Sequence, residues 1–284
     1  MSTRYVRILF ALLLACASGA LQAAALPRAE PVPGGVAIVP LGRAGAEAPR
    51  AYFNGDRVMV LNDARKWLAV VGIPLNAKPG TYTIKIKSGR HRGLSFSVHD
   101  KRYAVQRVTI KNKRKVDPNA LDMKRIRREH LIIEAALDAW HPRARVPLRF
   151  DLPVRGPVSS PFGLRRIFNG EPRAPHSGID IAVPAGTPIR APAPGRVAAV
   201  GHFFFDGNMV MLDHGQGLVT MYGHMEKILV KKGQRVARGE VIGLVGQTGR
   251  ATGPHLHWGV SLNNARVDPT LFLSPESLAK LEEK

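Results

Sequence analysis

Between Gly178 and Gly249 a turn-forming glycine recurs every few residues: Gly186, Gly195, Gly207, Gly215, Gly217, Gly233, Gly239 and Gly249. Glycine supplies the positive φ that tight turns need, so a chain punctuated this way is cut into short strands and excludes long helices. The segments between the turns are apolar and β-branched. Strands are predicted at Gly178–Ala182, Arg196–His202, Met209–Asp213, Val219–His224, Val241–Val245 and Leu256–Ser261. The expected fold class is mainly β. It comprises a small N-terminal β-sandwich over 35–110, an amphipathic connecting helix over 117–141 and an antiparallel β domain over 153–273. In the first of these, Asn54-Gly55 predicts a hairpin turn, and Tyr82-Thr83-Ile84-Lys85-Ile86 alternates as a strand with one buried face does. For the helix, Asp117 is the expected N-cap and Pro118 the first helical residue, with a buried stripe of Leu121, Ile126, His130, Ile133, Leu137 and Trp140 ending at His141-Pro142.

The N-terminus sets the compartment. Arg4 and Arg7 precede the apolar run Ile8–Leu14, and Ala23-Ala24-Ala25 offers the small residues of a cleavage site. These are the three parts of a secretory signal peptide over 1–25. The run is too short and mixed for a spanning helix, so no transmembrane helix is expected in the mature chain. Cys16, the single cysteine, follows Leu13-Leu14-Ala15, a loose lipid-attachment pattern. Plain cleavage after Ala25 is the favoured reading and a lipid anchor at Cys16 the alternative. A periplasmic or secreted protein is expected, or in the alternative one lipid-anchored in the cell envelope. One cysteine also excludes a disulfide framework and any multi-cysteine metal site.

Lys and Arg number 42 against 21 Asp and Glu, a formal net charge of +21, and this points to an anionic partner. In an exported protein that partner is an acidic polymer or surface of the cell envelope, not nucleic acid, and no nucleic-acid-binding signature accompanies the charge. The basic residues bunch between Lys101 and Arg128. A solvated face explains that run as well as a binding patch does.

Six of the ten histidines lie in the second half, and three features single out a subset. His176-Ser177-Gly178-Ile179-Asp180 puts a nitrogen and an oxygen donor four residues apart, across a bend that leads into a strand. His255-Leu256-His257 puts two imidazoles on one face of a strand, with Cβ atoms roughly 6–7 Å apart. One of that pair can hold a metal while its neighbour reaches the reacting oxygen. Tyr222-Gly223-His224 ends a strand with another imidazole. Two histidines and a carboxylate leave one coordination position open, which is the pattern of a catalytic zinc site. No His-Glu-x-x-His helix supplies a glutamate base, so the remaining histidines must move the proton. His202 and His214 read as strand-edge and turn residues, His91 and His99 as exposed loop residues, and His130 as the edge of the helix stripe.

The phrases His176–Asp180, Met221-Tyr222-Gly223-His224 and Thr252-Gly253-Pro254-His255-Leu256-His257 resemble, in order, the three signatures of the lysostaphin/LytM-type zinc peptidoglycan endopeptidases. Ser159–Arg165, Ala191–Val197 and Gly243–Gly249 are similar to the same family. The resemblance covers 153–272, and a weaker one links the first half to the β region that precedes the catalytic domain in some Gram-negative members. It implies one Zn2+ held by His176, Asp180 and His257, with His224 and His255 as catalytic histidines. It also implies an antiparallel domain of the duplicated-hybrid-motif type whose groove crosses the metal. The implied activity is an exported zinc endopeptidase that hydrolyses peptide stems or cross-bridges of bacterial peptidoglycan through a zinc-activated water. D-Ala to diaminopimelate is the bond expected in a Gram-negative member, and glycyl-glycine is the alternative.

Two other readings compete. A biotinyl- or lipoyl-type carrier would share the strand-turn-strand phrase around Gly233–Gly243, but no hairpin-tip lysine is present and the histidines go unexplained. A catalytically silent wall-binding or amidase-activating module would be favoured by a lost ligand, and all five site positions are intact. The first half carries no visible chemistry. It is expected either to cover the groove, as an intramolecular inhibitor, or to anchor the catalytic domain on the wall.

Overall fold

A computed structural model describes residues 26–87, 92–143 and 145–282. The leader segment 1–25, with Cys16, and His91 lie outside the described residues.

Six antiparallel strands form the first sheet, in the order Val36–Arg43, Lys66–Gly72, Asp56–Asp63, Arg50–Phe53, Gly80–Lys87 and Arg92–Val98. The expected sandwich is realised as one strongly curled sheet. Its first and last strands approach, and Arg92 Nη2 donates to the Leu41 carbonyl between them. The Asn54-Gly55 turn has φ of 51° and 98°, as a two-residue hairpin requires. Ile84 and Ile86 are buried between exposed Thr83 and Lys85, the predicted alternation.

Strands 56–63 and 66–72 are apolar on both faces, and the structure uses both. Val58, Val60, Ala69 and Val71 line the sheet's own core. Met59, Leu61 and Val70 point the other way and share a core with Phe150, Trp258, Leu262 and Phe272 of the second half. A period of two along a strand places alternate residues on opposite faces, so these unbroken apolar runs mark a sheet buried on both sides. The seam is also polar. Gly72 N donates to Asn263 Oδ1 at 2.6 Å, and Asn263 Nδ2 donates to the Gly72 carbonyl at 3.0 Å. Gly72 has no room for a side chain there, because a Cβ would lie 2.5 Å from the Leu262 carbonyl oxygen.

The helix runs Ala120–Leu137, which corrects both expected ends. Asn119 is the N-cap, accepting from Asp122 N at 2.9 Å, while Asp117 instead pairs with Arg173 at 2.9 Å. Its buried face also differs from the predicted stripe. Asp122, Ala136 and Leu137 are buried and Ile133 packs with them, whereas Leu121 is 76% exposed and His130 is also exposed. Ile133 and Leu137 of the predicted stripe do face inward; its first turn departs because Arg114 grips both carboxylate oxygens of Asp122 and places an acid on the inner face. That face packs on Ala199, Phe203, Met209, Met211, Val219 and Met221.

The second half is a ten-stranded antiparallel sheet. Its main path is Arg235–Val236, Gly195–Phe203, Gly207–Gly215, Leu218–Ile228, Leu256–Leu262, Ile179–Ile181 and Val158–Ser160. Val241–Val245 pairs with the far end of Leu218–Ile228 and with Pro188–Arg190. One pairing was not foreseen: Val105–Val108, just before the helix, runs parallel to Arg165–Phe168.

His214 is fully buried in this core. It donates from Nδ1 to the Pro194 carbonyl and shares a 2.8 Å hydrogen bond between Nε2 and Thr220 Oγ1. Burial pushes its pKa down to about 4, against smaller opposing pulls from Pro194 and Asp213. A histidine that protonates less readily when folded makes stability fall as pH drops below the unfolded value near 6.5. Denaturant melts are expected to show a loss of about 2 kcal/mol between pH 7 and pH 5 from this residue. The His214→Gln variant should show a correspondingly shallower pH slope. At the seam, Asn263→Gly keeps the positive φ of the turn and removes both side-chain bonds. It is expected to cost about 1–3 kcal/mol in melts and to speed hydrogen exchange at the Gly72 amide.

Candidate metal centre

Sheet register assembles the centre. Asp180 lies directly opposite His257 in the pairing of Ile179–Ile181 with Leu256–Leu262, and Gly223 lies opposite His257 from the other side. Three adjacent strands thus bring Asp180, His257 and His224 to one place. His176 enters from a loop fixed by backbone bonds to Gly163 and Leu164. Gly178 is needed for this approach: a Cβ there would lie 2.5 Å from the Trp258 carbonyl oxygen and 2.8 Å from His257 Cε1.

Three donor atoms converge. His176 Nε2 lies 3.0 Å from Asp180 Oδ1 and 3.1 Å from His257 Nδ1, and His257 Nδ1 lies 2.8 Å from Asp180 Oδ1. A tetrahedral ion with bonds of about 2.0–2.1 Å would separate its ligands by about 3.3 Å, so a small outward shift of the three groups accommodates zinc. Among the described residues, His176, Asp180 and His257 are the cluster whose ligand atoms come together in this way. Nitrogen and oxygen donors without thiolate suit zinc.

The histidine tautomers follow from backbone acceptors. Nδ1 donates to the Pro161 carbonyl in His176, to Thr248 in His224 and to Gly253 in His255, at 2.8–2.9 Å. A carbonyl can only accept, so each neutral ring presents a bare Nε2. His257 differs, facing the cluster with Nδ1. The rings of His224 and His255 lie 4.7 Å apart, and His224 lies 6.0 Å from His257. His224 holds an unusual left-handed backbone, φ 62°, fixed by its N–H bond to the Asp206 carbonyl.

The electrostatics favour the neutral form of His176 and His224 and the charged form of the carboxylate. Burial pushes the His224 pKa down to about 3, aided by His257 and His255. Burial also lowers His176. For Asp180 burial pushes upward, but the flanking His176 and His257 rings prevail and hold it well below the usual carboxylate range. Arg166 Nη2 donates to Asp180 Oδ2 at 3.1 Å, which leaves Oδ1 for the converging donors.

All five residues singled out in the sequence therefore meet. The sequence reasoning did not find Arg166, although it follows Arg165 directly after a motif that reasoning quoted. Nor could it find the three carbonyls, because backbone acceptors leave no compositional trace. His202 stands apart, bonded to Asn208 at the surface, and His130 pairs with Glu134 on the helix.

Residues 174–269 match Peptidase family M23, and residues 29–101 match the Peptidase family M23 N-terminal domain. Peptidoglycan DD-endopeptidase ShyA of Vibrio cholerae is 46% identical over 121 residues, 42% of this chain and 28% of that protein. DD-carboxypeptidase/endopeptidase Mpg of Neisseria meningitidis is 43% identical over 118 residues, 42% of this chain and 27% of that one. The chain thus matches little more than a quarter of the length of these curated relatives. A crystal structure from Pseudomonas aeruginosa, described as a peptidase M23, is 47% identical with a TM-score of 0.74, covering 86% of this chain and 95% of that one. Near-half identity sustained over almost the whole of that structure makes this chain a member of peptidase family M23, a metallopeptidase family.

Proposed function

We propose that the protein is an exported zinc endopeptidase that hydrolyses peptide bonds in the stems or cross-bridges of bacterial peptidoglycan. Its catalytic work lies in 153–273. The carrying observation is the convergence of His176 Nε2, Asp180 Oδ1 and His257 Nδ1, with two further imidazoles beside them. The relatives from Vibrio cholerae, a peptidoglycan DD-endopeptidase, and Neisseria meningitidis, a DD-carboxypeptidase/endopeptidase, support the choice of substrate. Export through 1–25, with cleavage after Ala25 in preference to lipid attachment at Cys16, belongs to the same reading. No helix among the described residues is long and apolar enough to cross a membrane.

In this reading His176, Asp180 and His257 hold the ion. When bound, zinc supplies Lewis acidity, which polarises a carbonyl and lowers the pKa of a water. His224 and His255 do the proton work. Each offers an Nε2 lone pair whose orientation is locked by its Nδ1 bond to a carbonyl. The imidazole that takes the proton from the attacking water becomes a donor. It can then steady the tetrahedral oxyanion and return the proton to the leaving amine.

Digestion of purified peptidoglycan, with mass spectrometry of the fragments, tests the activity and names the bond; a catalytically silent module would release nothing. His257→Ala is expected to lose both zinc and hydrolysis. His255→Ala is expected to keep one zinc per chain, read by elemental analysis, while kcat falls about 10²–10⁴-fold. Equal zinc contents in the two variants would show that the roles are wrongly divided.

The first half is proposed to restrain the groove. Segment 105–117 ties together the loops that flank the centre. Asn169 exchanges hydrogen bonds with Ile110 at 2.8 and 3.2 Å, Arg173 pairs with Asp117, and Lys115 Nζ donates to the Phe204 carbonyl at 2.5 Å. A protease site placed between Lys111 and Lys113 allows the strap to be cut in the folded protein. Cutting is expected to speed cleavage of soluble peptidoglycan fragments. A role limited to anchoring predicts unchanged rates on fragments and a loss only on intact sacculi.

A further inference from the structure

Beside the metal centre sits a cluster of arginines that the proposed chemistry does not use. Arg250 is half-buried, with its guanidinium over two rings: Cζ lies 4.4 Å from the Phe205 centroid and 5.0 Å from that of Phe168. Arg166 Cζ lies 5.8 Å from the same Phe168 ring. The two rings offer no hydrogen-bond acceptor of their own apart from their π faces, and the planar N–H fork of Arg250 is its means of directional contact. Of that fork, Nη1 reaches the Lys115 carbonyl at 3.4 Å, the limit of a hydrogen bond. Among the described residues, no carboxylate forms an ion pair with Arg250.

The charges around it are mostly of its own sign. Burial lowers the Arg250 pKa to about 10, Arg166 and Arg173 push the same way, and Asp206 opposes them. Arg166 is spent on Asp180, and its Nε is buried without a partner. Arg173 is held by Asp117 and Glu171 at 2.9 and 2.7 Å, with 24% of its side chain exposed. Among the described residues Arg250 is thus the one of the three without a carboxylate partner; a cation held partly out of water without a matching anion is costly, and the cost falls when an anion arrives. The cluster also touches the reacting centre. Arg166 bonds Asp180, and Arg250 follows by two residues the Thr248 carbonyl that orients His224.

We propose that Arg250, with Arg166 and Arg173 beside it, forms a carboxylate-binding subsite at the edge of the metal centre, which takes a free carboxylate of an acidic peptide. This rests on the peptidase reading and names a property of its substrate. A planar carboxylate matches the planar fork of a guanidinium. The same subsite rejects a carboxamide, which brings no charge and turns an N–H₂ toward donors.

The test is binding to metal-free protein, so that hydrolysis does not enter. The probes are a short acidic peptide with free carboxylates and the same peptide amidated at every carboxyl, titrated by calorimetry. Amidation is expected to weaken binding by wild-type protein about ten-fold or more. Arg250→Met keeps a flexible apolar stem beside Phe168 and Phe205 but carries no charge, and it should bind both peptides alike. Indifference of the wild type to amidation overturns the proposal without any variant, and so does a preference that survives in a folded Arg250→Met protein. The two readings fail separately. Carboxylate preference without digestion of peptidoglycan keeps the subsite and removes the peptidase. Digestion with indifference to amidation does the reverse.

Discussion

The pairing of Asp180 with His257 across two antiparallel strands is the constraint on which the site rests. Residues directly opposite on neighbouring strands have Cβ atoms about 5 Å apart, which lets two short side chains meet on one face. The adjoining strand is set against the same histidine by Gly223, and this delivers His224. A slip of one residue in either pairing would turn every side chain to the other face and scatter the donors. Burial of Trp258, Val260, Tyr222 and Leu256 in the core opposes such a slip, because those residues would exchange places with polar ones. The core therefore positions the site through register, and only His176 needs a loop to reach it.

The same sheet joins the two halves. Its far end carries the Asn263-Asn264 turn, which reaches back to Gly72 in the first sheet, while Met59, Leu61 and Val70 enter the second half's core from below. Further backbone bonds cross the seam, from Arg28 to Leu271 and from Asp268 to Gly34. A first half attached only by a flexible tether would have needed none of these. It is packed as part of the body that holds the strands in register, and the segment leaving it, 105–117, runs directly to the loops beside the centre.

Legibility in the sequence followed the range of the interactions. Strands and turns of the second half could be read because glycine placement and apolar alternation are local, and the five site residues could be read because their spacing is tied to those strands. The helix was misread where a distant partner decided the outcome. Asp122 looks like an outer residue until Arg114 binds it, and Asp117 looks like a cap until Arg173 claims it. In 56–72 the Asn54-Gly55 turn signals the first strand alone; the second, 66–72, is not read from the sequence, and the burial of both faces of each depends on a surface more than 75 residues away in the chain. The Pro161 and Thr248 carbonyls that fix the His176 and His224 tautomers belong to the same class of non-local, composition-silent contacts, while the Gly253 carbonyl that fixes His255 is local and equally silent in composition.

The charge of the molecule acquires a local meaning once the ion pairs are assigned. Part of the basic run after Lys101 is tied to the body of the protein: Lys101 by Glu30, Arg114 by Asp122, Lys115 by a carbonyl and Arg125 by Glu129. Such residues are spent on holding the segment against the body and are poorly placed to grip a distant polymer. Near the metal centre the balance is reversed. Asp180 serves two histidines and Arg166 at once, and a bound divalent ion would draw on that same carboxylate. The surroundings of Arg250 would then be more positive still. The excess of base is thus partly tied down in the linker, while beside the reacting atoms Arg250, unlike Arg166 and Arg173, has no carboxylate partner among the described residues. That is where charge can choose a substrate, since a partly desolvated guanidinium discriminates between a carboxylate and an amide far more strongly than a solvated lysine does.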